Sequence, residues 1–131
     1  MDTDKKDLTN KLIKNVQPYL NPGEYVFLSL PEARALSPED IICMFHEKEG
    51  TTYVVDKSIA DSMNLYYNFN AAWITLNVYS SLEAVGLTAK VASALAAENI
   101  SCNAIAAYNH DHVFVPYKHA DKAMALLRKL Q

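Results

Sequence analysis

The sequence predicts an α+β protein assembled from βαββα units, with antiparallel sheets covered by helices. Three observations predict it. Short apolar runs rich in aromatic and β-branched residues (YVFLSL, IICMF, TYVV, WITLNVY) are separated by polar turns, which is the pattern of strands. Other stretches repeat apolar residues three and four apart, which is the pattern of helices packed along one side. Half of the 131 residues are hydrophobic and 21% are charged, enough to bury one ordinary core or two very small units sharing one.

The elements follow in order. Residues 4–16 read as an amphipathic helix, with Leu8, Leu12 and Val16 four apart and Ile13 beside them. Pro18, Pro22 and Gly23 end it. Residues 25–30 (YVFLSL) form a strand whose near-continuous apolarity calls for cover on both faces, and Pro31 stops it. Ser37 as N-cap and Pro38 at the first helical position begin one helical turn. Only a turn fits, because residues 41–45 (IICMF) read as a second buried strand. Residues 46–51 make a hairpin connection through Gly50, and residues 52–55 (TYVV) return. Asp56 caps a short helix that turns Ile59, Ala60 and Met63 inward. Residues 66–72 read equally as a loop or as the start of a strand. Residues 73–79 alternate, with Ile74, Leu76 and Val78 on one face and Trp73, Thr75, Asn77 and Tyr79 on the other. A helix over residues 87–98 carries Thr88, Val91, Ala92 and Leu95 on one stripe, and Asn99 stands where a left-handed C-cap is needed. Residues 102–107 and 113–115 are two further strands around a polar turn. Residues 118–130 form the last helix, with Ala120, Ala123, Met124 and Leu127 inward.

Residues 41–63 and 104–124 share one plan: strand, polar turn, strand, helix. Laid over each other, Tyr53, Val54 and Val55 meet Phe114, Val115 and Pro116; Lys57 meets Lys118 and Met63 meets Met124. Two amphipathic ββα stretches can also match by chance. With its leading strand the second stretch reads β-α-β-β-α, the ferredoxin-like split βαβ without its last strand. Residues 25–30 are expected to supply that strand or to border its sheet, because an open edge invites aggregation. The expected organisation is an N-terminal helix over residues 1–22, a truncated unit over 23–70 and a fuller unit over 71–131.

Composition and spacing exclude several functions. The net charge is −3, the pI is about 5.7 and no Lys/Arg run occurs, so neither nucleic acid nor a membrane surface is an expected partner. The opening MDTDKKD lacks the apolar centre of a secretory signal, and no apolar run approaches a membrane span, which gives a cytoplasmic expectation. Cys43 and Cys102 form no CxxC pair, excluding a zinc knuckle or dithiol motif, and read as reduced, buried small hydrophobes. No cofactor is expected. His110 and His112 would share a strand face, but two ligands do not complete a metal shell. His46, Glu47 and Glu49 would add the rest only if the two hairpin turns met. A solvated turn bent at Asp111 is the simpler reading, and a pH-responsive contact is a third. Glu47 and Glu49 lack a nucleophile or an oxyanion partner, and the apolar neighbours of both cysteines argue against thiol catalysis. The aromatic group Tyr66, Tyr67, Phe69 and Trp73 has no basic residues between its members and reads as packing or an interface.

Residues 80–86 are the best binding candidate. Ser80 and Glu83 have capping-box spacing, Gly86 permits close backbone approach, and free N–H groups at a helix start hold a carboxylate. A well-capped helix without a ligand would explain Ser80 and Glu83 equally. The run Gly86-Leu87-x3-Val91-x3-Leu95-Ala96-x3-Ile100-x4-Ile105 resembles the ACT-domain signature. The strings FHEKEGTT, ITLNVYSSLEAVGLT and HDHVFVP resemble a bacterial family of stand-alone tandem ACT-like proteins. That family is similar in plan to the regulatory region of aspartokinase and to the CASTOR amino-acid sensors. The resemblance covers nearly the whole chain from Gly23 onward. It implies a non-catalytic regulatory homodimer that binds an amino acid or a similar small metabolite. In ACT domains the corresponding turn forms one wall of the site and the second strand forms the other. This resemblance places Ser80, Ser81, Leu82, Glu83, Val85, Gly86 and Leu87 on one wall, and Asn103 and Ile105 on the other. A metal-dependent enzyme using the His/Glu turns and a pure protein–protein interaction module are the alternatives.

Overall fold

A computed structural model describes residues 17–31, 36–77 and 86–130, with Leu87 described by its backbone alone. The helix expected over residues 4–16 lies outside these. The chain divides into two compact units: Pro22–Ala71, and Met1–Asn21 together with Ala72–Gln131.

The first unit holds most of β1 (Pro18–Leu30), then β2 (Ile41–His46), β3 (Thr51–Asp56) and α1 (Lys57–Ser62). Its strands lie in the order β2-β3-β1. β3 pairs antiparallel with both neighbours, from Tyr25 opposite Asp56 to Leu30 opposite Thr51, with an irregularity between Ile41 and Cys43 on β2. Val26, Leu28 and Leu30 join Tyr53, Val55 and Ala60 in one core. On the opposite face of β1, Phe27 is half-buried and Ser29 is exposed. The apolar run therefore has one covered face and one partly covered face, rather than the two expected.

β2 also departs from expectation. It is the outermost strand of its unit, and Phe45 is 71% and Met44 44% exposed. The only helical structure described between β1 and β2 is a single 3-10 turn, Pro38–Asp40, without a side-chain cap from Ser37. This is what makes the first unit truncated. The β2–β3 hairpin closes through Glu47 N–H to Gly50 O at 3.0 Å. Glycine is needed there, because a Cβ at position 50 would sit 2.8 Å from the Leu30 carbonyl oxygen. Asp56 caps α1, accepting from the Ser58 N–H at 2.8 Å.

The second unit holds the rest of β4 (Asn70–Leu76), then α2 (Leu87–Ala96), β5 (Asn103–Ala106), β6 (Asp111–Pro116) and α3 (Ala120–Arg128). Residues 70–72, ambiguous in sequence, begin β4. The strand order β4-β6-β5 is that of a split βαβ, and the place beside β4 is filled by the start of β1. Asn77 N–H donates to Gln17 O at 2.9 Å, and the Asn21 amide donates to Trp73 O at 3.1 Å. The residues filling the missing-strand position are thus 18–21, while residues 25–30 pair with β3 in the first unit. Ile74 and Leu76, Val91 and Leu95, Val113 and Val115, and Ala123, Met124 and Leu127 close the core between sheet and helices. Thr88, expected on the inward stripe of α2, is exposed. Among the described residues no helix is long and apolar enough to cross a membrane.

Candidate functional site

Of the expected binding residues, Ser80, Ser81, Leu82, Glu83 and Val85 lie outside the described residues. Gly86 is described. It has left-handed backbone, φ 87° and ψ 0°, directly before α2, and its carbonyl accepts the Lys90 N–H at 3.0 Å. A Cβ built on it would meet nothing within 4 Å, so the space beside this backbone is open. Leu87 is the first residue of α2.

Asn103 and Ile105 stand on β5, the outermost strand of their unit. Asn103 is exposed and Ile105 half-buried. They pair with Phe114 and His112 on β6, so all four share one face of the sheet. Gly86 and Asn103 belong to opposite ends of α2. One precedes its first turn; the other comes within a few residues of its last. Ten helical residues span about 15 Å.

The same sheet face carries a polar group that sequence reasoning did not assemble. Trp73 Nε1–H donates to His112 Nδ1 at 3.0 Å. Thr75 Oγ1 lies 3.1 Å from the same nitrogen and accepts from the Asn21 amide at 2.9 Å. An indole N–H has no acceptor capacity, so Nδ1 must be unprotonated and Thr75 O–H is the second donor. Burial pushes the His112 pKa below its ordinary value, with the neighbouring His110 adding to this and Asp111 opposing it. Trp73 also stacks on Phe114, with 6.2 Å between ring centroids. The alternation of residues 73–79 placed Trp73 and Thr75 on one face; no sequence signal marked Asn21.

The His-Asp-His string is therefore not a solvated turn. Asp111 begins β6 and is only 8% exposed, and His110 Nδ1 is buried without a hydrogen-bond partner among the described residues. Among the described residues no group of three His, Cys, Asp or Glu side chains gathers to hold a metal. In the other hairpin, Glu47 accepts from the Thr52 hydroxyl and the His46 ring contacts Thr51, both within the same turn. Cys43 and Cys102 are free and half-buried rather than fully buried, and burial pushes both thiols up, away from nucleophilic thiolate.

A Vibrio cholerae protein of unknown function, described as a possible transport protein, has a crystal structure at 38% identity, covering 95% of this chain and 96% of its own, with a TM-score of 0.82. An Agrobacterium tumefaciens protein aligns at 13% identity over 88% of each chain, with a TM-score of 0.72. The ligand-free regulatory subunit of Thermus thermophilus aspartate kinase aligns at 10% identity over 88% of this chain and 98% of its own, with a TM-score of 0.62. The last two attest the fold alone. Among curated proteins none matches. ACT domain models match twice in succession, over residues 5–72 and 68–129, and with the split βαβ strand order these matches make the chain a tandem member of the ACT domain family, whose domains serve in general as regulatory, ligand-binding modules.

Proposed function

We propose that the protein is a non-catalytic, cytoplasmic sensor that binds an amino acid at a seam between two copies of the chain. The observation that carries this reading is the placement of Gly86 and Asn103 toward opposite ends of α2. A site with both walls then takes residues 80–87 from one copy and β5 from another. Ser80, Ser81, Leu82, Glu83, Val85, Gly86 and Leu87 frame the carboxylate, with backbone N–H groups at the helix start as donors. Asn103 supplies a hydrogen bond to the ligand, and Ile105 covers its side chain. β5 suits such a seam: it is a four-residue edge on which Asn103, Ala104 and Ala106 are exposed, so a second backbone can approach closely. In this reading residues 71–131, with the strand residues 18–21, form the sensing unit and residues 23–70 a truncated companion. Ligand bound across the seam favours one dimer geometry over another, which is how the signal leaves the molecule.

The test is a thermal-shift screen of the amino acids, followed by titration calorimetry and light scattering. A ligand specific to the native dimer raises the melting temperature. Asn103→Ala, at an exposed position, should leave the apo fold intact and weaken binding by roughly 1–3 kcal/mol. Gly86→Val is a poorer probe, since the positive φ makes any L side chain costly in the apo protein. Asp111 does not serve as a neutral control, because it is buried; His46→Ala does. No stabilisation by any amino acid, or a mass of one chain with ligand bound, would refute the reading.

A further inference from the structure

A cleft of about 400 Å³ opens in the first unit, between the end of β1 and the segment after α1. That segment alternates in exposure: Leu65, Tyr67 and Phe69 are half-buried, and Asn64, Tyr66 and Asn68 are exposed. The inward members are anchored. Leu65 and Tyr67 pack on the core, Phe69 meets Phe27 edge to face at 5.9 Å, and Tyr67 O–H donates to Asp61 at 2.7 Å. The outward members line the cleft together with Leu65 and Tyr67 and with Phe27, Ser29 and Leu30 of β1. Among the described residues the side chains of Ser29, Asn64, Tyr66 and Asn68 make no hydrogen bond. Tyr66 is 83% exposed.

The chemistry of this lining is specific. Among the described residues no charged side chain lines the cleft, and the nearby Lys57 and Asp61 bond to each other at 2.9 Å. Against these lining residues an ionised ligand would lose hydration without gaining a counter-charge, which favours an uncharged occupant. Each asparagine amide offers a donor and an acceptor side by side, which fits a ring edge carrying an adjacent acceptor and donor. Phe27, Tyr66 and Tyr67 bring aromatic rings to the lining, the kind of side chain on which a flat ring stacks. A saccharide, with hydroxyls around its whole ring, would leave donors unmet by two amides and one hydroxyl. The volume is that of a small-molecule site.

We infer that this cleft binds a small, uncharged, flat heterocycle of the nucleobase type, stacked on Tyr66 and held along its edge by Asn64 and Asn68. The site shares no residue with the amino-acid seam and is independent of it. The probes are adenine, hypoxanthine, cytosine and uracil, titrated into the full chain and followed by NMR. At least one base should bind saturably and shift the side-chain amide signals of Asn64 and Asn68, not those of Asn103. Adenosine 5′-monophosphate should bind no tighter than adenosine, since none of the described lining residues is basic. Asn68→Ala and Tyr66→Ala, at exposed positions, should each weaken binding about tenfold. Asn64→Gly, which keeps the left-handed backbone, should do the same. Saturable binding of D-glucose in place of the bases, no saturable binding of any base, or full affinity in the Asn68→Ala and Tyr66→Ala variants would each overturn the assignment.

Discussion

Asn64 and Asn99 hold left-handed backbone at φ 54° and 62° and close two different helices by the same device. The N–H of the next residue reaches back five positions, Leu65 to Ala60 O at 2.9 Å and Ile100 to Leu95 O at 3.0 Å, and that next residue is apolar and packs inward. Asparagine tolerates this conformation; alanine does not. Asn99→Ala is expected to lower stability by about 1 kcal/mol in urea denaturation, and Asn99→Gly to leave it nearly unchanged. Asn99 was legible because it follows a ten-residue stripe, whereas α1 is too short for its end to be read. His112 sets a second expectation. Its pKa is lowered in the folded chain from an ordinary 6.5, first by burial and then by the neighbouring His110, with Asp111 opposing. The unfolded chain binds the proton more readily, so stability is complete above about pH 6.5 and is lost as pH falls toward the lowered folded value. His112→Gln should flatten the fall of the urea midpoint with decreasing pH. An unchanged slope would mean that His112 does not titrate on unfolding.

At the scale of elements, the two units manage their outer strands differently. β5 is four residues long, a protected edge by brevity. β2 is longer and carries Phe45 outward, with no charge or proline before His46. Phe45→Lys is expected to change stability by less than about 0.5 kcal/mol while lowering aggregation on heating, measured by light scattering during a thermal melt. A large loss of stability would show that Phe45 packs against something in solution. Sequence could not separate β2 from a central strand, because an apolar run records composition and the place of a strand depends on distant partners. Helices were easier, since their periodicity is local. Val91 and Leu95 of α2 are fully buried, as their spacing required. Leu95→Ala should cost about 2–5 kcal/mol by chemical denaturation. Of the candidate site, the pairing of Asn103 and Ile105 on one face was legible from period two. Their neighbours Trp73, Thr75 and Asn21 were not, because they converge only through the strand order.

At the scale of the molecule, β1 and β4 each belong to both units: residues 18–21 and 72–76 to one, 22–30 and 70–71 to the other. Neither unit can lose its share of these strands without altering the strand that continues into the other. One cooperative transition is expected, with the fluorescence of the single tryptophan, Trp73, and far-UV circular dichroism giving coincident midpoints. Separated midpoints would show that the units unfold independently. The α+β class and the second βαββα unit were readable from patterning. The sharing of β1 was not, because pattern marks a strand without marking where along it the partner changes.

That sharing has a mechanical consequence. Tension drawn between residue 17 and residue 130 enters and leaves through the same unit, and residues 22–71 lie on the contour between its two parts. While Gln17 O holds Asn77 N–H and the Asn21 amide holds Trp73 O, the load crosses from residues 17–21 to residues 73–77 and the intervening fifty residues carry none of it. Under force the short stretch around Asn21 acts as a latch, and the first unit feels the pull only after that latch has opened.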